Sequence, residues 1–274
     1  MFNLKNKIVV VIGGRGYLGR DFCQKLRSQN ATVISADLPT NSKAATKSEY
    51  KNKFNDIEQM DIDVTSKQSV IKVIQSILEK YKRIDTLIYS VTSKPHDFYA
   101  PFTECSLEGW QSAIHTELDG LFLVAQQVGK AMEKDENGNI ILIASIYGVV
   151  GNDQRIYEDS NLAELYADDE TENKRKQIYS HSVYPVVKGG IISLTRYLAA
   201  YWGEKNIRVN CVSPGGVYHK CENETFLKKY SAKVPLGRKA EVGEITSSIV
   251  YLASDEASYI TGQNIIIDGG WTAW

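Results

Sequence analysis

Three observations predict a doubly wound α/β fold, one parallel sheet of about seven strands with helices on both faces. The run Ile8-Val9-Val10-Val11-Ile12 is continuous and β-branched, as a strand buried on both faces requires. Similar runs alternate with helical patterns along the whole chain. Glycines at 13, 16 and 19 stand at three-residue spacing where the first strand meets the first helix.

The elements follow in order. After the strand Ile8–Ile12, Tyr17 to Asn30 reads as a helix, with Leu18, Phe22 and Leu26 on one side. Ala31 to Ala36 is the second strand. Further strands are expected near Phe54–Met60, Thr86–Tyr89, Ile140–Ala144, Arg208–Val212 and Asn264–Ile267. Helices are expected near Ser66–Tyr81, Leu107–Lys134, Ser182–Gly203 and Val242–Ala253. Two stretches break the rhythm: the polar, charged segment Gly151–Tyr179 and the loop Tyr218–Lys239. Long loops in compact domains usually carry function or move.

The chain has 274 residues, 43% hydrophobic and 24% charged, which suits one large globular domain. Lys plus Arg number 32 and Asp plus Glu 33, for a net charge of -1. No global positive field exists to attract nucleic acid or an anionic membrane. A bound anion therefore needs a local device. The four cysteines form no C-x-x-C pair, and the four histidines are dispersed, so no metal site is expected. Sparse cysteine usage fits a reducing compartment. The run Ile8–Ile12 is too short for a signal core or a membrane span. A cytoplasmic protein acting on a small molecule is the expectation.

The glycine turn is the local device. A phosphate must approach backbone N–H groups at a helix N-terminus, and side chains there would block it. Following a buried strand and opening a helix, Gly13, Gly16 and Gly19 read as a dinucleotide cradle. Arg15, Tyr17 and Leu18 of the same turn fall among the cofactor-binding candidates. Asp37 closes the second strand 18 residues after Gly19. A carboxylate there accepts hydrogen bonds from ribose hydroxyls and repels a 2′-phosphate, favouring NAD over NADP. Arg15 keeps NADP as the alternative, because a guanidinium in this turn can pair with a 2′-phosphate.

Tyr184 and Lys188 are four apart in a helical pattern and share a face. A tyrosine is a poor base at neutral pH, and a nearby ammonium favours its phenolate. Tyr201 and Lys205 show the same spacing, so the pair needs company. Ser145 supplies it, at the end of the strand Ile141-Leu142-Ile143-Ala144. Ligands of parallel α/β sheets sit beyond that end of the strands.

Together these residues resemble the short-chain dehydrogenase/reductase family, single-domain branch, with its Rossmann-like three-layer α/β/α fold. The glycine turn, Asp63-Val64, Ser145, Tyr184-Pro-Val-Val-Lys188, Asn210-Cys-Val-Ser-Pro214-Gly215 and the closing Ile260-Thr-Gly to Gly270 fall in family order. The resemblance implies roles position by position. Tyr184 would be the general acid/base. Lys188 would hold the nicotinamide ribose and lower the tyrosine pKa. Ser145 would hydrogen-bond the substrate oxygen. Asp63 and Val64 would contact the adenine; Ser90 would line the cofactor. Pro214, Gly215 and Val217 would border the nicotinamide. It also implies a homo-oligomer, tetramer or dimer, packed through the helices near Leu107–Lys134 and Ser182–Gly203.

Four departures stand out. Tyr17 occupies a position where the single-domain branch usually has Gly, giving the glycine spacing of sugar-nucleotide enzymes. Tyr89-Ser90-Val91-Thr92 replaces Asn-Asn-Ala-Gly. Glu117 aligns with the family's relay asparagine, and is read either as a relay group or as a structural contact. Ser145 and Tyr184 lie 39 residues apart, far more than usual, so a segment of about 152–179 is inserted on the active-site side. Its Arg155-Ile-Tyr-Glu158, with Ile146-Tyr-Gly-Val-Val150 and Ser213-Pro-Gly-Gly-Val217, is similar to oxidoreductases of flagellin-glycan and nonulosonic-acid sugar pathways. The expected function is therefore NAD(P)-dependent interconversion of a secondary alcohol and a ketone, on a sugar or sugar-nucleotide. The alternatives are an epimerase or dehydratase with retained NAD and a non-catalytic dinucleotide-binding regulator. His181 and His219 are read as neighbours of the pocket and the cofactor amide, or as packed histidines. Lys174-Arg175-Lys176 is read as a solvated cluster or a substrate-phosphate contact.

Overall fold

A computed structural model describes residues 2–39, 57–95, 97–160, 162, 178–220 and 222–274. Seven parallel strands among them form one sheet in the order β3-β2-β1-β4-β5-β6-β7. They are β1 (Ile8–Ile12), β2 (Thr32–Asp37), β3 (Glu58–Asp61), β4 (Thr86–Tyr89), β5 (Gly138–Ile143), β6 (Ile207–Pro214) and β7 (Asn264–Ile267). The strand order reverses between β1 and β4, and a parallel sheet opens its ligand crevice at such a point. Ile12 pairs with Ala36 on one side and Tyr89 on the other, so the turns after β1 and β4 emerge together.

Both faces of the sheet are covered. Val10, Ile12, Leu87 and Leu142 pack toward α2 (Lys67–Tyr81), α4 (Gly120–Asp135) and α5 (Val183–Trp202). Val9, Val11, Ile88 and Ile141 pack toward α1 (Tyr17–Ser28) and a later helix, α7 (Val242–Ala253). Alternate residues of one strand thus enter opposite cores, which is why β1 is apolar throughout. A third cluster lies apart from these two. Tyr99, Ile146, Ile156 and Ile178 meet Phe226, Tyr230 and Trp271, joining the chain after β5 to α6 (Glu224–Ser231). No helix among the described residues is long and apolar enough to cross a membrane.

The expected strands Thr86–Tyr89 and Asn264–Ile267 and the helix Val242–Ala253 coincide with the observed ones. Other bounds move by a residue or two. Of Phe54–Met60, the strand occupies Glu58–Asp61, and 54–56 lie outside the described residues. Two expectations are corrected. Leu107–Lys134 is not one helix: α3 (Leu107–Ile114) passes through a π turn, His115–Asp119, into α4. The stretch Tyr218–Lys239 is not all loop, because Asn223 caps α6 by accepting from the Phe226 N–H.

Candidate active site

The glycine turn is tight. Gly13 has φ +81°, and a Cβ there would strike the Ser90 carbonyl. A Cβ on Gly19 would strike the Gly13 carbonyl, so strand, turn and helix close on one another only as glycines. Gly14, which the spacing did not single out, is equally constrained by Ser35 behind it. α1 starts from Gly16 with no side-chain cap and no acidic residue in its first turn. That helix end suits an anion, and the narrow glycine cradle fits a pyrophosphate.

At the adenosine end, Asp37 accepts from the Arg15 N–H and the Leu38 N–H, each at 2.8 Å. The Arg15 guanidinium turns away to Asp61 at 2.8 Å, Gln59 at 3.2 Å and the Leu38 carbonyl at 2.8 Å. It is engaged along the β2–β3 edge. Asp63 accepts from the Thr65 N–H and hydroxyl, and Val64 is buried against Gly120. Leu18 packs into the α1 side of the core. Ser90 donates its N–H to Ile12 at 2.9 Å. Tyr17 points across the crevice: its hydroxyl donates to the Tyr218 carbonyl at 2.6 Å, and its ring meets His219 edge-on. Past β6, which ends at Pro214, Gly215 donates to Ile267 and Val217 pairs with Ala240. The Gly216 N–H donates to the Tyr230 hydroxyl, and Lys239 forms a buried ion pair with Glu222.

The candidate catalytic groups gather where β5 and α5 meet. Ser145 is buried just beyond β5, and its Oγ accepts from the Tyr147 N–H at 3.2 Å. The 3-10 turn Ile146–Gly148 rests on α5. A Cβ on Gly148 would come within 2.6–2.8 Å of the Lys188 and Gly189 backbone. Tyr184 lies in the first turn of α5, and Lys188 follows one turn later. The Lys188 Nζ is 5.3 Å from the centre of the Tyr184 ring. It donates to Glu117 Oε2 at 2.9 Å, with Thr92 and the Ile143 carbonyl at 3.5 Å. Glu117 is 2% exposed, and its Oε1 accepts from the Ser93 N–H at 2.9 Å. Burial opposes the Lys188 ammonium, but Glu117 and Tyr184 outweigh it and hold this lysine above the ordinary range. Tyr147 stands edge-on to Tyr184, 6.4 Å between ring centres, and burial pushes its own phenol up.

At the start of α5 a cleft of about 400 Å³ is lined by Phe102, Asn152, Gln154, Ser180, Ser182 and Pro185, among others. Gln154 accepts from the Ser180 N–H at 2.9 Å, so the two ends of the inserted segment are joined at the cleft wall. His181 is fully buried, stacked on Phe98 and 3.6 Å from Asp97. Burial pushes its imidazole down, with Asp97 opposing. Sequence reasoning missed Ser93, Gln154 and Ser180, which show no spacing signal; Thr92 stood in the departing run Tyr89–Thr92, without a role. Tyr147 stood in a recognised run. Lys174, Arg175, Lys176 and His96 lie outside the described residues.

Comparisons with known proteins place the chain among relatives. A model described as short chain dehydrogenase matches residues 7–157, and one described as enoyl-(acyl carrier protein) reductase matches 172–272. The chain is 31% identical over 270 residues to post-translational flagellin modification protein A of Campylobacter coli, covering 98% of this chain and 99% of that protein. It is 28% identical to D-threitol dehydrogenase of Mycolicibacterium smegmatis, covering 99% and 95% respectively. Among solved structures, a short chain dehydrogenase of Leptospira borgpetersenii with bound NAD+ superposes with a TM-score of 0.80 at 30% identity. That likeness covers 98% of this chain and 94% of the Leptospira chain. From the sheet order through the glycine turn to these full-length matches, the chain belongs to the short-chain dehydrogenase/reductase family, oxidoreductases that use NAD(P) on alcohols and ketones.

Proposed function

We propose that this chain is an NAD-preferring oxidoreductase that interconverts a secondary alcohol and a ketone on a sugar or sugar-nucleotide. One observation carries the reading: the turn after Ser145 is pressed onto the helix that presents Tyr184 and Lys188, at the mouth of the glycine crevice. NAD, when bound, supplies the hydride chemistry. Gly13, Gly16 and Gly19 hold its pyrophosphate against the start of α1, with Tyr17 and Leu18 in the same turn. Asp37 receives the adenosine ribose, Asp63, Val64 and Ser90 border the adenine side, and Pro214, Gly215 and Val217 border the nicotinamide.

Tyr184 exchanges a proton with the substrate oxygen. Ser145 donates a hydrogen bond to that oxygen and stabilises its developing charge. Lys188 places an ammonium beside the Tyr184 ring, which favours the phenolate, and holds the nicotinamide ribose. The sugar assignment draws support from the flagellin-modification and threitol relatives. The inserted segment, about 152–179, borders the cleft at the start of α5, and residues 158–171 fall between the two family matches. A homo-oligomer packed on α4 and α5, where Phe122, Tyr197 and Tyr201 are exposed, belongs to the same reading.

Tyr184→Phe tests it. The variant is expected to lose at least about a hundredfold in kcat/KM with NAD and any alcohol the wild type oxidises, while binding NAD normally. Wild-type turnover in that variant sinks the mechanism. NADH released in step with alcohol consumed separates this chemistry from a retained-cofactor epimerase.

A further inference from the structure

The ion pair between Glu117 and Lys188 is unusual for its burial. The two side chains are each 2% exposed, and carboxylate and ammonium meet at 2.9 Å. A lone ammonium in such a place is strongly disfavoured, and lysines so placed lose their proton readily. The carboxylate is held as well as the amine. Its second oxygen accepts from both the N–H and the hydroxyl of Ser93, at 2.9 and 3.1 Å. The backbone is shaped for the contact too. Glu117 sits in the π turn between α3 and α4, and such turns re-aim side chains that an α-helix would point elsewhere.

We propose that Glu117 is the counter-ion of Lys188, the group that keeps this lysine an ammonium in a site too dry to sustain one alone. Glu117 thus acts through Lys188 as a positioning residue, and the inference rests on the acid/base roles of Tyr184 and Lys188 given above. Among the described residues, the groups that face the pair supply no other anion. From β4, Tyr89 approaches the same π turn, its phenol donating to the Thr116 carbonyl; burial and then Glu117 push that phenol well up, so it stays neutral. The chain after β4 offers Thr92 and Ser93, and β5 offers the Ile143 carbonyl. From α5 itself comes Tyr184, and beyond it lie Tyr147 and Tyr157, phenols that burial also holds neutral. Among the described residues in contact with the Lys188 amine, Glu117 alone is a carboxylate.

The test follows the lysine directly. In protein carrying lysine labelled with 13C at Cε, the Lys188 resonance is assigned by its loss in Lys188→Met and followed against pH. In wild type it is expected to show no titration below about pH 10. In Glu117→Gln its midpoint is expected at least about one pH unit lower. A resonance that titrates alike in both proteins overturns the proposal. A second measurement covers poor folding of that variant. Lys188→Met alone strands a buried carboxylate and should lower Tm, and Lys188→Met with Glu117→Leu should recover most of the loss; no recovery overturns the proposal. Retained activity in Tyr184→Phe would instead remove the acid/base reading, and the lysine titration would still report on the ion pair.

Discussion

The proposed preference for NAD rests on Asp37. Its two oxygens are fixed by the N–H groups of Arg15 and Leu38, so the carboxylate cannot swing aside for a second anion. The residue that offered an alternative, Arg15, has its guanidinium committed to Asp61 and neighbouring carbonyls. Replacing Asp37 by Ala should therefore lower kcat/KM for NAD and raise it for NADP. The ratio should move by about tenfold or more, the equivalent of one charge contact of about 1.4 kcal/mol. Initial rates with the two cofactors at subsaturating concentration check this; an unchanged ratio removes Asp37 from the recognition. At this scale the sequence was legible where a residue acts through the backbone beside it, as Gly13 and Asp37 do. It was illegible where partners are remote. Glu117 lies 71 residues from Lys188 along the chain, and no spacing rule relates them.

The elements place these residues by close backbone contact. The turn after β5 can lie on α5 only because position 148 has no side chain. A Cβ there would meet main-chain atoms, which cannot rotate away as a flexible side chain would. Gly148→Ala should push the Ser145 turn off α5 by a fraction of an ångström to an ångström. Misplacement on that scale can cost about a hundredfold in rate. Overpacking should also cost about 1–3 kcal/mol, or several degrees of Tm in a chain of this size. Steady-state kinetics and thermal melts together check it, and a variant with wild-type kcat shows that the contact does not position Ser145. The π turn is the other element that matters. The periodicity of Leu107–Lys134 is helical at both ends, so a one-residue widening in the middle leaves little trace in the pattern. Likewise α6 hides in a polar stretch, because its apolar face, Phe226 and Tyr230, meets a small third cluster rather than the sheet.

Across the whole molecule, net charge near zero leaves stability to local pairs. Asp153 and Glu244 are among the carboxylates held low by basic partners. Arg155 and then Lys233 keep Asp153 far below its ordinary 3.8. Arg238 keeps Glu244 near about 2, against an ordinary 4.5. A carboxyl group depressed in the folded state binds protons more readily when unfolded, so its contribution is present above the unfolded value and is lost as pH falls through the folded one. Tm should therefore be level above about pH 5 and fall as the pH drops from about 4.5 toward 2. Glu244→Gln should flatten part of that fall, most clearly at low salt, since Arg238 and Glu244 are both exposed. Melts across that range check it, and an identical acid profile in the variant excludes the pair. Asp153 is of interest beyond stability, because with Lys233 it ties the start of the inserted segment to the chain after α6.

The amino-acid sequence by itself determined the layered fold and pointed to the proposed dinucleotide cradle and to the candidates Ser145, Tyr184 and Lys188. Each is written in local signals: a strand apolar on both faces, glycines where backbone meets backbone, and two side chains one helical turn apart. Only the tertiary structure decided which remote groups share a charge. Burial to 2% turns Glu117 and Lys188 from two separate helix residues into one ion pair. Dehydration, which no linear pattern records, is what makes each of them need the other.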